Sequence, residues 1–160
     1  MRGTTGLTAV AENGRASLSV LYVSHDGMLE PLGQSQVLPY LRELAERGAQ
    51  ITLLSFEKPA DLADCVRVDA LSAQLSQGGI GWIRLCYHKR PRALATAADI
   101  LIGLARAMLI ARRERIAAVH ARSYVPALIA WGLKRTIGTR FIFDMRGFWA
   151  DERVDGGLWP

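Results

Sequence analysis

Apolar residues along this chain come in short blocks separated by stretches of helical spacing. Residues 18–23 (LSVLYV) form a continuous apolar run rich in strand formers and predict a first strand. A polar loop over 24–33 follows. Leu38, Leu41, Leu44 and Ala45 then recur at helical spacing and predict a helix from about Gln34 to Arg47. Gly48 stands where a C-terminal glycine cap belongs. Residues 50–55 predict a second strand, and a helical stretch after Pro59 runs to Gln77 and stops at Gly78-Gly79. Residues 80–87 predict a third strand. A long helix is expected from Arg92 to about Arg113, with Leu94, Ala98, Leu101, Ala105, Met108 and Leu109 lining one face. Residues 117–120 predict a fourth strand, then comes a helix from near Ser123 to just before Gly138, then a fifth strand over 139–143. The final stretch, MRGFWADERVDGGLWP, reads as a polar and aromatic loop.

Strand and helix thus alternate five times. Near-continuous apolar strands joined by helices predict an α/β fold, a parallel sheet with helices on both faces and right-handed crossovers. Ligands of such sheets bind outside the carboxyl ends of the strands. The polar residues of this chain collect at those ends.

Half of the 160 residues are apolar, enough for one core and no demand for two. Residues 1–17, rich in Gly, Thr, Ala and Ser, predict a flexible N-terminal tail and no signal peptide. The longest greasy stretch, 93–111, is interrupted by Asp99 and Arg106. It reads as a soluble amphipathic helix, because a bilayer span tolerates central charge poorly. Cys65 and Cys86 have no metal-ligand spacing and are expected as reduced, buried small hydrophobes. That suits a reducing, cytoplasmic compartment, and no metal site is expected. The net charge of +5, from 20 basic and 15 acidic residues, is local. Lys89, Arg90 and Arg92 form one cluster, and Arg112, Arg113 and Arg115 another. They read as a solvated surface or as a contact for anionic lipid heads or an anionic substrate, peripheral at the inner face of a membrane. Nucleic acid is the weakest partner, since aromatic and basic residues do not interleave on a strand.

Three segments carry candidate chemistry. In the loop after the first strand, Pro39 is tolerated only near a helix start, which places that start at Gly33 to Ser35. The amides of Gln34, Ser35 and Gln36 would then face outward at a positive helix end, a suitable place for a phosphate. The alternative is an ordinary capped helix start. Gly33 lacks partners at the G-x-G-x-x-G spacing, so Glu57 is no convincing ribose-binding acid and a nicotinamide enzyme is disfavoured. At the end of the fourth strand, His120, Arg122 and Ser123 together suit an anion or a sugar hydroxyl, although a lone strand-end histidine is more often structural. After the fifth strand, Asp144, Arg146, Phe148, Trp149, Asp151 and Glu152 combine charge with aromatic rings. Rings suit the apolar face of a sugar and carboxylates its hydroxyls. The alternative is that Asp144 and Arg146 pair with each other. Asp151 or Glu152 could serve as a general base, though nothing in the spacing requires it.

Taken together, VLYVSHDGMLEPLGQSQVLPYLRELAERGAQITLLSFEKP, VHARSYVPALIA and FIFDMRGFWADERVDGGLW resemble family 4 glycosyltransferases of the two-domain, Rossmann-like GT-B type. The similarity runs from about Leu18 to the last residue. It implies an enzyme that transfers a sugar from a nucleotide diphosphate sugar to a sugar or lipid-linked acceptor, with retention and without a metal. The N-terminal domain of such enzymes mainly binds acceptor. The resemblance assigns Gly33 and Gln34 to the donor diphosphate, with Ser35 beside them, and the candidates for the acceptor side are Asp26, His120, Arg122, Ser123, Asp144, Arg146 and Trp149. Many relatives carry histidines in the loops after strands four and five, where this chain has Arg122 and Arg146. The nucleotide would sit in a C-terminal domain that the 160 residues are expected to lack, leaving the chain inactive alone. The reading from another class is a non-catalytic, anion- or membrane-binding α/β module.

Overall fold

The computed structural model describes residues 17–145. Arg146, Trp149, Asp151, Glu152 and the expected tail other than Ser17 lie outside the described residues. Five strands form one sheet: β1 (Ser19–Ser24), β2 (Gln50–Glu57), β3 (Ile80–Cys86), β4 (Ala118–Arg122) and β5 (Arg140–Asp144). Their order is β3-β2-β1-β4-β5, and every pairing is parallel. This is the expected Rossmann-like α/β sheet. The alternation of strand side chains sets its two faces. Leu21, Val23, Leu54, Phe56, Val119 and Ala121 point to one face, and Tyr22, Leu53 and Ile51 to the other. The first face is covered by α4 (Arg92–Arg113) and α5 (Tyr124–Ile137), the second by α1 (Leu38–Glu46) and α3 (Cys65–Gln77). A short α2 (Pro59–Leu62) precedes α3, whose first turn is capped by Asp64 accepting from the Arg67 amide. Gly48, at φ 91°, closes α1: its amide donates to Ala45 and that of Ala49 to Leu44, satisfying the last carbonyls.

Three expectations require correction. First, the helix after β1 does not begin at Gly33 to Ser35. Helical backbone starts at Pro31, and Gly33–Val37 forms a π-helical turn before α1. Two prolines explain this. Pro31 supplies a pre-set φ at a first turn, where a missing N–H costs nothing. Pro39 would drive its ring at the Ser35 carbonyl in a continuous α-helix. The wide turn, closed by the Leu38 amide on the Gly33 carbonyl, puts Pro39 in the first turn of a fresh α-helical segment. Second, Cys65 and Cys86 are free but exposed. Cys65 opens α3 just after its cap, and Cys86 ends β3 on an outward alternate position.

Third, the face of α4 marked by Leu94, Ala98, Leu101, Ala105 and Leu109 is turned to solvent, with only Met108 of that set packed on the core. The buried face carries Ala95, Asp99, Gly103, Ala107, Ile110 and Ala111. Small residues let α4 approach closely. A Cβ on Gly103 would meet the Ile129 side chain at 2.5 Å, and one on Gly132 of α5 would meet Leu104 at 2.8 Å. Helical periodicity was present on both faces, and close packing selected the one with small side chains.

Candidate functional site

The order of strand addition reverses between β1 and β4. The connection from β1 leads through α1 to β2 on one side, and β4 leads through α5 to β5 on the other. At such a switch point the loops diverge and leave a crevice beyond the strand ends. A cleft of about 530 Å³ opens here, lined by Tyr22, Gln36, Tyr40, His120, Arg122, Ile142 and Asp144. Register brings the strand residues together: Tyr22 lies opposite His120, Ser24 opposite Arg122, and Arg122 opposite Asp144. The helical spacing of four between Gln36 and Tyr40 turns both to the same opening.

Arg122 is the centre of the cleft and is only 6% exposed. Its Nη2 donates to Gln36 Oε1 at 2.9 Å. Asp144 Oδ2 lies 3.5 Å from Nη1 and Asp26 Oδ2 lies 3.7 Å from Nε, both beyond a good hydrogen bond. His120 packs in a triangle of rings with Tyr22 and Tyr40, ring centroids 4.7 and 5.6 Å away, and its Nε2 lies 3.7 Å from Asp144 Oδ2. Burial lowers the His120 pKa, partly opposed by Asp144 and reinforced by Arg122, so the ring is neutral at physiological pH. Burial likewise raises the Tyr22 and Tyr40 hydroxyl pKa values, so both stay protonated. His120 Nε2 and Arg122 Nε are buried without a hydrogen-bond partner. A buried unsatisfied polar atom is costly, and two of them at one cleft, each facing a different carboxylate at 3.7 Å, mark a place for ligand oxygens.

The sequence-derived residues divide in three. Asp26, His120, Arg122 and Asp144 meet at this cleft. Ser123 borders it as the residue before α5, with its amide donating to the Asp144 carbonyl and no side-chain cap bond. Its φ of 75° and ψ of −178° lie in a region that glycine almost alone occupies. Gly33, Gln34 and Ser35 turn elsewhere. The Gln34 amide donates to the Glu30 carbonyl, its side chain to Met28 O, and Ser35 Oγ to Pro31 O. A Cβ on Gly33 would stand 2.7 Å from Met28 Cα, so this glycine permits backbone-to-backbone packing of the helix on the loop. Arg146, Trp149, Asp151 and Glu152 lie outside the described residues. Sequence reasoning missed Tyr22, Gln36, Tyr40 and Ile142. The period-two alternation of β1 was a usable signal for Tyr22, but the pairing of β1 with β4 is not written locally.

Two buried carboxylates outside the cleft hold its loops. Glu57, at the end of β2, accepts from the Met28 and Leu29 amides and from Ser55 Oγ. An internal carboxylate therefore occupies the amide-lined turn after β1. Asp99 of α4 is fully buried and binds the His88 ring at 2.6 Å and its amide at 3.2 Å, with His25 Nε2 at 3.8 Å. It ties α4 to the loops after β1 and β3.

The site lies beyond the carboxyl ends of the strands, where open α/β sheets bind ligands. Residues 33–159 match the family model described as "Glycosyl transferase 4-like domain". The chain belongs to this family. Among solved structures it is similar to a glycosyltransferase from Rickettsia africae, with a TM-score of 0.55 and 15% identity over 81% of this chain and 30% of the other. It is also similar to MurG from Acinetobacter baumannii, with a TM-score of 0.50 and 17% identity over 79% of this chain and 34% of the other. The chain thus spans about a third of the length of these structures, and at such identity the likeness establishes the GT-B fold alone. No curated protein matches it by sequence.

Proposed function

We propose that this domain is the acceptor-side half of a retaining, hexosyltransferase-like enzyme that moves a sugar from a nucleotide diphosphate sugar to a sugar or lipid-linked acceptor in the cytoplasm. The observation that carries this reading is the pair of unpartnered buried atoms at the switch-point cleft, His120 Nε2 beside Asp144 and Arg122 Nε beside Asp26. Arg122 offers donors to acceptor oxygens, and Asp144 accepts from acceptor hydroxyls. Neutral His120 can do either, and Tyr40 supplies a ring face. Arg146 and Trp149, just past β5 in sequence, belong to the same acceptor side in this scheme. The donor diphosphate in turn belongs beside Gln34 and Ser35, whose side chains are otherwise bonded to the Met28 and Pro31 carbonyls.

Transfer follows a front-face displacement. The bond from the sugar's anomeric carbon to the donor phosphate oxygen breaks, and the acceptor oxygen attaches on the same face. The acceptor proton passes to the departing diphosphate. A facing domain holds the nucleotide, so the 160-residue chain alone is expected to transfer nothing. Transfer by the chain alone would refute the division of labour. In a protein joining the chain to a nucleotide-binding domain, Arg122→Met should raise acceptor KM or lower kcat by about 10- to 100-fold. That is the worth of a hydrogen bond to a charged group. Donor KM should not change. A change confined to donor KM would overturn the acceptor assignment.

A further inference from the structure

We propose that the outward face of α4, together with the adjoining face of α5, docks on an anionic phospholipid bilayer. The proposal does not rest on the transferase reading. Its starting point is the inverted distribution of side chains on α4. Alanine and glycine face the sheet, while Leu94 (72% exposed), Leu101 (67%), Ile102 and Leu109 face solvent. At 3.6 residues per turn, Leu94, Ala98, Leu101, Ala105 and Leu109 fall within an arc of about 80°. They make one continuous ridge. Folding leaves this ridge uncovered, although smaller residues on the same helix were buried. On the neighbouring α5, Leu128 and Trp131 are exposed as well. An exposed apolar strip of this length marks an interaction surface.

Charge identifies the occupant. α4 and α5 together contain one acidic residue, Asp99, and it is fully buried against His25 and His88. The exposed rim is predominantly basic: Lys89 and Arg90 before α4, Arg106, Arg112 and Arg113 on it, and Lys134 and Arg135 on α5, while Glu114 just past α4 is bonded to the Thr52 hydroxyl. Leucines edged by arginines fit a partner that is apolar in depth and anionic at its surface, which is the cross-section of an anionic monolayer. A second copy of the same face would set cations against cations. α4 is the one helix among the described residues long and apolar enough to cross a membrane. Crossing is opposed by its buried Asp99 and by its packing on the sheet as the β3-to-β4 connection. α4 therefore lies along the interface with its leucines in the acyl boundary.

The test is co-sedimentation of the 160-residue chain with vesicles of phosphatidylglycerol and phosphatidylcholine, against phosphatidylcholine alone, at low and high salt. Binding should require the anionic lipid and weaken with salt. Trp131 emission should shift to the blue, and Trp131→Phe should remove that shift. Leu94→Gln with Leu101→Gln should reduce partitioning at least about tenfold, since two half-inserted leucines are lost. Arg112→Gln and Arg113→Gln should each cost about fivefold, equivalent to about 1 kcal/mol per basic residue at an anionic surface. Val66→Ser, on exposed α3 across the sheet, should change nothing. All these sites are exposed, and unchanged circular dichroism checks the fold. Salt-independent binding to neutral vesicles, no binding, or an equal loss with Val66→Ser would overturn the proposal. So would self-association abolished by Leu101→Gln. Sugar transfer is not read in this assay, so either proposal can fail alone.

Discussion

Glu57 offers the sharpest test of how the loop after β1 is held. It is fully buried, and its Oε1 accepts from the Met28 amide at 2.8 Å and from Ser55 Oγ at 2.6 Å. Oε2 accepts from the Leu29 amide at 3.4 Å, and Ser55 in turn accepts from the Trp82 indole at 2.8 Å. Glu57→Gln preserves shape but supplies one acceptor where two are needed. If the amide oxygen keeps the Met28 bond, its NH2 confronts the Leu29 N–H, and the reverse flip confronts Met28 at the shorter distance. One buried donor is left unmade, which costs about 2 kcal/mol. Glu57→Ala strands both amides and the Ser55 hydroxyl, and should cost about 4 kcal/mol. In urea denaturation the midpoint should therefore fall in the order Glu, Gln, Ala with an unchanged slope. The melting temperature of the glutamine variant should drop by about 4–8 °C for a chain of this size. Hydrogen exchange supplies a local readout, since the Met28 and Leu29 amides should be protected in the parent and fast in both variants. A glutamine variant within about 0.5 kcal/mol of the parent, with both amides still protected, would refute the anchoring role.

Two further outcomes follow from the same loops. Ser123→Gly should stabilise the protein by about 1 kcal/mol, because a glycine-only backbone region costs a serine about 1–3 kcal/mol and glycine's extra unfolded-state entropy offsets part of the gain. A lower melting temperature for that variant would show that Ser123 is not strained. His25 and His120 both have pKa values lowered from 6.5, chiefly by burial. As pH falls below about 6.5 the unfolded imidazoles bind protons before the folded ones do, so stability present above that pH is progressively lost. Urea midpoints taken from about pH 8 down to about pH 5 should fall, and His25→Gln and His120→Gln should each flatten the slope; unchanged slopes in both would exclude these rings as the source.

Most of the fold was legible because strand and helix periods differ and the breaks between them are chemically marked. The long helix from Arg92 to Arg113 was located residue for residue, bounded by Pro91 before it and by basic residues at its negative end. The limits of β1, β2, β4 and β5 moved by one or two residues toward the polar strand ends that bear the site, and β3 ends one residue short of its expected limit. The direction in which α4 faces was not legible. Its outward leucines carry the stronger periodic signal, and a rule that puts large apolar residues inside points the wrong way. What decided the matter is that Gly103 and Gly132 allow α4 and α5 to interlock with Ile129 and Leu104. That is complementarity between two distant segments, which no window on one segment contains.

The cleft was half legible for a related reason. His120, Arg122 and Asp144 announce themselves as polar residues ending apolar strands, and strand alternation then places His120 and Arg122 on one face. Tyr22 and Tyr40 look like core aromatics until β1 is known to pair with β4 and α1 to pack beside them. Gly33 shows the converse error. A glycine beside a helix start suggests a phosphate cradle, yet here the nearby amides of Met28 and Leu29 already hold a carboxylate of the chain itself, and Gly33 exists to let backbone touch backbone. Loss of transfer on substituting Gly33 would therefore report a broken loop and say nothing of phosphate. The same loop carries His25 and Asp26 toward Asp99 and Arg122. Its conformation, fixed by Glu57, is what joins the α4 side of the sheet to the switch-point cleft.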